Sequence, residues 1–370
     1  MIQRASGGNS ICCYHQKPSF LPTAKKGVQP LHQISSLLSD SKQIVIVHHY
    51  NPDADALGSS LGLYHYLQLK GHRCTVVSPN AMPTFLMWMP DAERVLCYEE
   101  EREDAQKALL QADIVFCLDL NHFSRTRIME EDLRACQAIK VVIDHHLQPD
   151  EASFDFGYSD SEKSSTCEMV YDFILAQSDQ ELLNVNIAQC LYAGAMTDTG
   201  SFKFPSTTAS VHRMVADFME RGLNPAPIHQ AIFDTYMENR LRFLGHALSE
   251  KMKLYHHAHA ALIAIPKTDL KRFEINTGDT EGIVNYPLSI GIIVLSIFIT
   301  ERDQEIRMSF RSKGSFDVNA FARQYFNGGG HKNAAGGRST DSLSVTIEKI
   351  EDAIQENKNQ LIQCYNELPY

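Results

Sequence analysis

Three short runs of apolar residues each end in side chains that can hold a proton or a metal ion. Ile44-Val45-Ile46-Val47 leads into His48 and His49, Ile114-Val115-Phe116-Cys117-Leu118 into Asp119, and Val141-Val142-Ile143 into Asp144-His145-His146. Continuous apolar runs of this length, rich in β-branched residues, read as strands buried on both faces. After the first run, Leu57, Leu61, Tyr64 and Leu67 recur at helical spacing, and Gly71 ends the helix. Cys74 to Val77 reads as a further strand. Strands alternating with helices imply a parallel sheet covered by helices on both faces.

From Ser164 to about Glu250 the pattern is mostly helical, and then it changes. Met252 to Tyr255, Ala260 to Ile265, Gly291 to Ile299 and Glu305 to Phe310 read as strands, and helices fit Val318 to Phe326 and Val345 to Gln363. The expected fold is therefore α/β in two domains. A parallel-sheet domain spans residues 41–235, a linking segment 236–250, and a smaller α/β substrate-binding domain 251–370, with the active site in the cleft between them. Residues 1–40 lack periodicity and carry no acid before Asp40, so they read as a flexible extension. A transit peptide fits less well, because Arg4 is the single arginine there and no amphipathic helix is evident.

Bulk properties exclude several classes. The longest apolar run, Gly291 to Ile299, is broken by Ser296 and is far shorter than a spanning helix, so no membrane partner is expected. A formal net charge of −11 disfavours non-specific binding to long nucleic acids or acidic membranes. A small anionic substrate remains compatible with it, since a site can be locally basic. The nine cysteines show no C-x-x-C pair and read as reduced thiols in a reducing cytoplasm.

The loop after the first strand, His49-Tyr50-Asn51-Pro52-Asp53-Ala54-Asp55, combines a stiffened turn with two aspartates. Open α/β sheets bind ligands at the carboxyl ends of their strands. Asp119 and Asp144-His145-His146 point into the same crevice. Asp198, in Met196-Thr197-Asp198-Thr199-Gly200, follows the helical run Val185 to Leu191. Each element alone has an ordinary reading as a turn, a cap or a surface histidine. Together they would crowd Asp53, Asp55, Asp119, Asp144 and Asp198 into one cleft, and like charges that close strain a fold unless cations offset them. Divalent metals with imidazole and carboxylate ligands do so, and two ions ~3.5–4 Å apart suit phosphoryl chemistry. His48, His122, His212, His229 and the group His256, His257 and His259 read as structural.

Near the C-terminus, Arg307, Arg311, Lys313, Arg323, Lys332 and Arg338 face a single acid, Asp317, between Ile306 and Thr340. Gly328-Gly329-Gly330-His331 and Ala334-Ala335-Gly336-Gly337 follow within this basic stretch. Successive glycines let backbone N–H groups approach a phosphate. A dinucleotide fingerprint is excluded, because no acid stands at the end of a second strand about twenty residues on.

The order H-x-N-P-D-x-D, strand-end Asp, D-H-H and T-D-T-G resembles the DHH phosphoesterase superfamily, and the resemblance covers about residues 40–370. It implies that His49, Asp53 and Asp119 hold one metal and that Asp55, Asp119, His145 and Asp198 hold a second, with Asp119 bridging. Two divalent ions, usually Mn(II), are implied. Asp144 would orient a histidine and His146 would face the substrate phosphate, so Asp119, Asp144, His145 and His146 form the expected catalytic set. Ser309 to Lys313 and the G-G-G-H run resemble the DHH-associated C-terminal domain, in which Arg311 and His331 would grip a terminal phosphate beside Gly328, Gly329 and Gly330. Asn327 departs from the glycine that many relatives carry, which puts the shape of the loop in question. The second domain resembles that of the NrnA group, which implies short RNA oligonucleotides and 3′-phosphoadenosine 5′-phosphate (pAp) as substrates. The family II pyrophosphatases carry a different second domain, and the RecJ-type exonucleases carry additional ones. A cyclic di-AMP or pApA phosphodiesterase would bear the same motifs. A catalytically idle nucleotide-binding regulator would have lost a ligand, and none is lost. A homodimer is compatible with all of these readings.

Overall fold

The computed structural model describes residues 29–234, 237–276 and 278–369. Residues 1–28, the greater part of the expected extension, and the boundary expected at residues 235 and 236 lie outside the described residues.

The first domain runs β1 (Gln29–Pro30), β2 (Gln43–Val47), α1 (Ala54–Leu69), β3 (Arg73–Ser78), β4 (Leu96–Cys97), α2 (Arg102–Gln111), β5 (Ile114–Leu118), α3 (Glu130–Ala135), β6 (Ile139–Asp144), β7 (Phe156–Ser159), α4 (Thr166–Ala176), α5 (Val185–Asp198), α6 (Ala209–Glu220) and α7 (Pro225–Phe233). The sheet order is β1-β7-β6-β5-β2-β3-β4, and every pairing is parallel. Alternation along each strand divides its side chains between two cores. Ile44, Ile46, Ile114, Phe116, Leu118, Val141 and Ile143 pack under α1, α4 and α5. Val45, Val47, Val115, Cys117 and Val142 face the opposite side, against Ala105 and Leu109 of α2 and Leu133 of α3. Both faces are thus covered, as continuous apolar strands require.

The N-terminal segment differs from the sequence reading. Residues 29–38, placed there in a flexible extension, add the edge strand β1 and bury Leu31, Ile34 and Leu38 in the main core. Three apolar residues spread over eight positions were too short a signal to read against the polar sequence around them. The short strands β4 and β7 likewise gave no periodicity to read.

Helix α8 (Glu238–Glu250) leads into the second domain: β8 (Met252–Tyr255), β9 (Ala260–Ile265), α9 (Lys267–Arg272), β10 (Leu295–Glu301), β11 (Ile306–Ser312), α10 (Val318–Tyr325), β12 (Gly329–His331), β13 (Ala334–Ser339), α11 (Leu343–Glu356) and α12 (Lys358–Asn366). The sheet order is β12-β13-β11-β10-β9-β8, with only the β9–β10 pair parallel. Strand β10 starts four residues later than the apolar run, and the helix expected at 345–363 is divided at Asn357. On β11, Ile306, Met308 and Phe310 enter the core, which leaves Arg307, Ser309 and Arg311 on the other face. The glycine run is an antiparallel hairpin, β12 on β13, rather than a free loop. A Cβ at Gly328 would collide with the Gly336 carbonyl, so glycine there allows close backbone pairing. Asn327 adopts φ 45°, a left-handed conformation that asparagine tolerates, so it serves where a glycine would.

Helices α1 and α5 touch backbone to backbone. A Cβ on Gly194 would lie 2.8 Å from Asp55 Cα and 2.9 Å from Ala54 O, and one on Gly58 would strike the Cys190 carbonyl. This approach brings the start of α1, with Asp55, beside the end of α5, with Asp198. Gly194→Ala should therefore destabilise the protein by ~1–3 kcal/mol through overpacking and weaken metal binding with it. Chemical denaturation and metal titration measure the two effects, and an unaltered midpoint with unaltered metal affinity would refute the packing argument.

Candidate metal centre

Strand order fixes where ligand-binding loops converge. From β2 the chain crosses to β3 on one side, while β5 and β6 continue on the other, so the carboxyl ends of β2 and β5 flank a crevice. The loop from His48 to Asp53 leaves β2 there, Asp119 follows β5, and Asp144 ends β6. Asp53 caps α1, its Oδ1 accepting the N–H groups of Asp55 and Ala56 at 3.0 Å each. Its Oδ2 stands 3.8 Å from His49 Nε2. Asp55 is fully buried, and its oxygens accept the N–H groups of Thr166 at 2.7 Å and Cys167 at 2.9 Å. These are the first residues of α4, whose positive end favours a carboxylate.

Asp119 sits at the middle of the cluster, with left-handed backbone (φ 55°). Its Oδ2 is 3.2 Å from His49 Nε2. Its Oδ1 is 3.4 Å from His146 Nδ1 and 3.5 Å from His145 Nε2, and accepts from Thr166 Oγ1 at 3.1 Å. The two oxygens of one carboxylate thus face different histidines, Oδ2 toward His49 and Oδ1 toward His145 and His146. His145 Nε2 also lies 3.3 Å from Asp198 and 3.7 Å from Asp55, while its Nδ1 faces the Lys163 carbonyl at 3.4 Å. Asp144 holds His146 twice, accepting its N–H at 3.0 Å and meeting its Nδ1 at 2.8 Å. His48 is buried against Ser60 Oγ at 3.0 Å and stays outside the cluster.

Among the described residues four groups have ligand atoms within 4.8 Å of one another, and two of them are His49, Asp53 and Asp119, and Asp55, His145 and Asp198; Asp119 is grouped with the first and not with the second. From the second domain, the His331 ring reaches this centre, 5.2 Å from the His145 ring and 4.9 Å from that of His146. Gly329 and Gly330 share β12 with His331, and Gly328 precedes it. Arg311 feels the charges of Glu281 and Asp198, while its Nη1 donates to its own strand's Phe310 carbonyl at 3.0 Å. Sequence reasoning missed Arg125, whose Nη1 donates to the Asp119 carbonyl at 2.9 Å and lies 3.1 Å from His146 Nδ1. It also missed Thr166 and Glu281. These residues stand in no motif, and only the fold brings them here.

The electrostatics call for cations. Burial, reinforced by Asp119, pushes the Asp55 carboxyl up to about 7. Burial and then Asp55 raise Asp198 well above its usual range. Burial would also raise Asp119, but His146, His145 and His49 hold it well below the usual carboxylate range. Burial opposes charge on His145, yet its bond to Asp119 and the charge of Asp198 hold it well above the ordinary histidine value. His49 is raised for the same reason, through Asp119 and Asp53. Mixed imidazole and carboxylate donors around this negative charge fit divalent metal ions.

Comparison with known proteins places the chain in a family. Residues 43–195 match the DHH family, N-terminal domain, and residues 258–363 match the DHHA1 domain. A solved structure, an exopolyphosphatase-related protein from Bacteroides fragilis, superimposes with a TM-score of 0.86 at 37% identity, covering 90% of this chain and 97% of that one. The chain belongs to the DHH family of phosphoesterases. It is 29% identical to the bifunctional oligoribonuclease and PAP phosphatase NrnA of Bacillus subtilis, over 85% of this chain and 96% of that protein. The cyclic-di-AMP phosphodiesterase GdpP of Bacillus subtilis is more distant, at 24% identity over 88% of this chain and 49% of that protein.

A pH dependence follows. Asp55 and Asp198 are raised in the folded state, so each binds its proton more tightly than in the unfolded chain, and that stabilisation is lost as pH rises, for Asp55 through about 7. The raised His49 and His145 act in the same sense, their contribution lost as pH rises through their folded values. These four groups should therefore reduce the stability of the metal-free protein as pH rises from about 5 to about 8, against the opposite contribution of His48 and His331, which burial lowers to about 3 and about 4. A divalent ion should raise the melting temperature more at the upper end of that window. Thermal unfolding with and without metal across the range tests this, and a metal effect that shrinks with rising pH would contradict it.

Proposed function

We propose that the protein is a two-metal phosphoesterase, manganese-dependent, that hydrolyses short oligoribonucleotides and removes phosphate from pAp. The observation that carries this reading is the Asp119 carboxylate, whose two oxygens face different histidines. Under it, His49, Asp53 and Asp119 hold one ion, and Asp55, Asp119, His145 and Asp198 hold the other. Bound ions would lower the pKa of an attacking water and offset the charge of the phosphoryl oxygens. Imidazole among the donors favours manganese over magnesium.

The chain's own residues do the rest. Asp144 fixes the His146 ring through Nδ1, which leaves Nε2 for the substrate phosphate. Burial, then His146 and His145, lowers His331 to about 4, which favours the neutral imidazole in the free protein. Arg311 supplies positive charge from the same face of the second domain. With the His331 ring 5.2 Å from that of His145 and 4.9 Å from that of His146, Arg311, His331 and the glycine hairpin would meet a phosphate close beside the metals, which suits a short ligand held between the two domains. The names of the B. subtilis NrnA and similar relatives support that substrate class. The similarity to GdpP supports a second reading, a phosphodiesterase for cyclic di-AMP or pApA.

A panel of pAp, pApA, cyclic di-AMP and RNA of increasing length, with manganese, tests both. The proposal expects kcat/KM to be highest for two to about five nucleotides and to fall steeply beyond, because the acidic molecule offers a longer strand no favourable track. A flat or rising profile out to tens of nucleotides would overturn it, and cyclic di-AMP as the best substrate would favour the second reading. Arg311→Ala and His331→Ala should each raise KM by roughly ten- to hundredfold, the worth of a charged hydrogen bond, with a smaller fall in kcat. An equal fall in kcat and kcat/KM would instead assign both residues to the transition state.

A further inference from the structure

Beside the metal cluster, the loop that supplies His49 and Asp53 also carries Tyr50, which touches no metal ligand through its side chain. The Arg127 guanidinium lies over the Tyr50 ring at 4.2 Å from its centroid. The phenol donates to Glu99 Oε1 at 3.2 Å, which fixes the ring's direction. The backbone joins the two segments, since the Tyr50 N–H donates to the Arg125 carbonyl at 2.8 Å. Arg127 itself is strained, with φ 53° and ψ −99°, and strain of this kind in a non-glycine residue collects at ligand sites. From the other domain, Arg307 of β11 lies within electrostatic reach of the Tyr50 phenol, together with Arg127.

Arg307 shares the open face of β11 with Ser309 and Arg311. Four residues along a strand separate Arg307 from Arg311 by ~13 Å. That is too far for one phosphate but suits different nucleotides of a single strand. Arg307 is itself half-exposed and pairs with Glu305 at 2.9 Å, so a simple surface ion pair is the competing account. Three features set it apart: its charge reaches the Tyr50 phenol on the other domain, the ring of Tyr50 adjoins His49 in sequence, and an exposed arginine, Arg127, already lies over that ring.

We propose that Tyr50, Arg127 and Arg307 form a second nucleotide subsite across the two domains, one or more nucleotides away from the phosphate held by Arg311 and His331. A base stacks on the Tyr50–Arg127 pair, as bases do on aromatic rings and guanidinium planes. Arg307 meets the neighbouring phosphate. The subsite accepts any base, because stacking reads no sequence. It engages RNA of two or more nucleotides and leaves the mononucleotide pAp without a partner there. This inference rests on the phosphoesterase reading given above for the reaction, though not for binding.

The test compares Tyr50→Ala and Arg307→Gln with wild type on pAp and on a trinucleotide, with Tyr50→Phe as the variant that keeps the stacking ring. Tyr50→Ala and Arg307→Gln should each lower kcat/KM on the trinucleotide roughly tenfold more than on pAp, and Tyr50→Phe should restore the ratio. Calorimetric binding of a phosphorothioate trinucleotide that resists hydrolysis should show the same order. Equal losses on pAp and trinucleotide, or no loss on either, would overturn the subsite. If the wild type hydrolysed neither substrate, the phosphoesterase reading would fall. Trinucleotide binding that still depended on Tyr50 and Arg307 would then uphold the subsite, and binding indifferent to them would end it as well.

Discussion

The repulsion among carboxylates around Asp119 is the constraint on which the rest of the structure depends. Asp53, Asp55, Asp119 and Asp198 gather within reach of His49 and His145, and Asp55 and Asp119 are removed from water. Burial, and after it their mutual charge, pushes Asp55 and Asp198 toward protonation, while the histidines hold Asp119 ionised. A fold that keeps such groups together gains nothing in stability from them. It holds them with backbone donors instead: α4 presents N–H groups to Asp55, and Asp53 turns one oxygen to the start of α1. Divalent metals would offset the negative charge gathered there.

The packing serves that arrangement. The crevice exists because the strand order reverses beside β2, and two cores hold the sheet rigid on either side of it. Glycines at α1 and α5 let two helices approach until acids from both share a ligand set. The second domain keeps its apolar residues on one face of β11 and turns arginines to the other, so that a surface of opposite sign stands across the cleft from the acids. His331 bridges the gap, its ring lying against those of His145 and His146.

Much of this was legible in the sequence, for identifiable reasons. Buried parallel strands are continuous apolar runs, so β2, β5 and β6 declared themselves, and their terminal Asp and His residues came with them. The two-domain α/β architecture followed from the change in pattern beyond α8. What was not legible depends on distant packing. Arg125 and Thr166 touch Asp119 only because the chain folds back, and no spacing announces either. Leu31, Ile34 and Leu38 join the core from a segment too short to show a period. The glycine run suggested a loop, yet close pairing of β12 with β13 uses the same residues for a hairpin.

Under the proposed mechanism one carboxylate, Asp119, would serve two metal ions. Anomalous scattering from a crystal grown with manganese tests it most directly. The account predicts two peaks, ~3.5–4 Å apart, one on each side of Asp119, the first beside His49 and Asp53 and the second beside Asp55, His145 and Asp198. A single peak, or two ions of which only one touches Asp119, would contradict it.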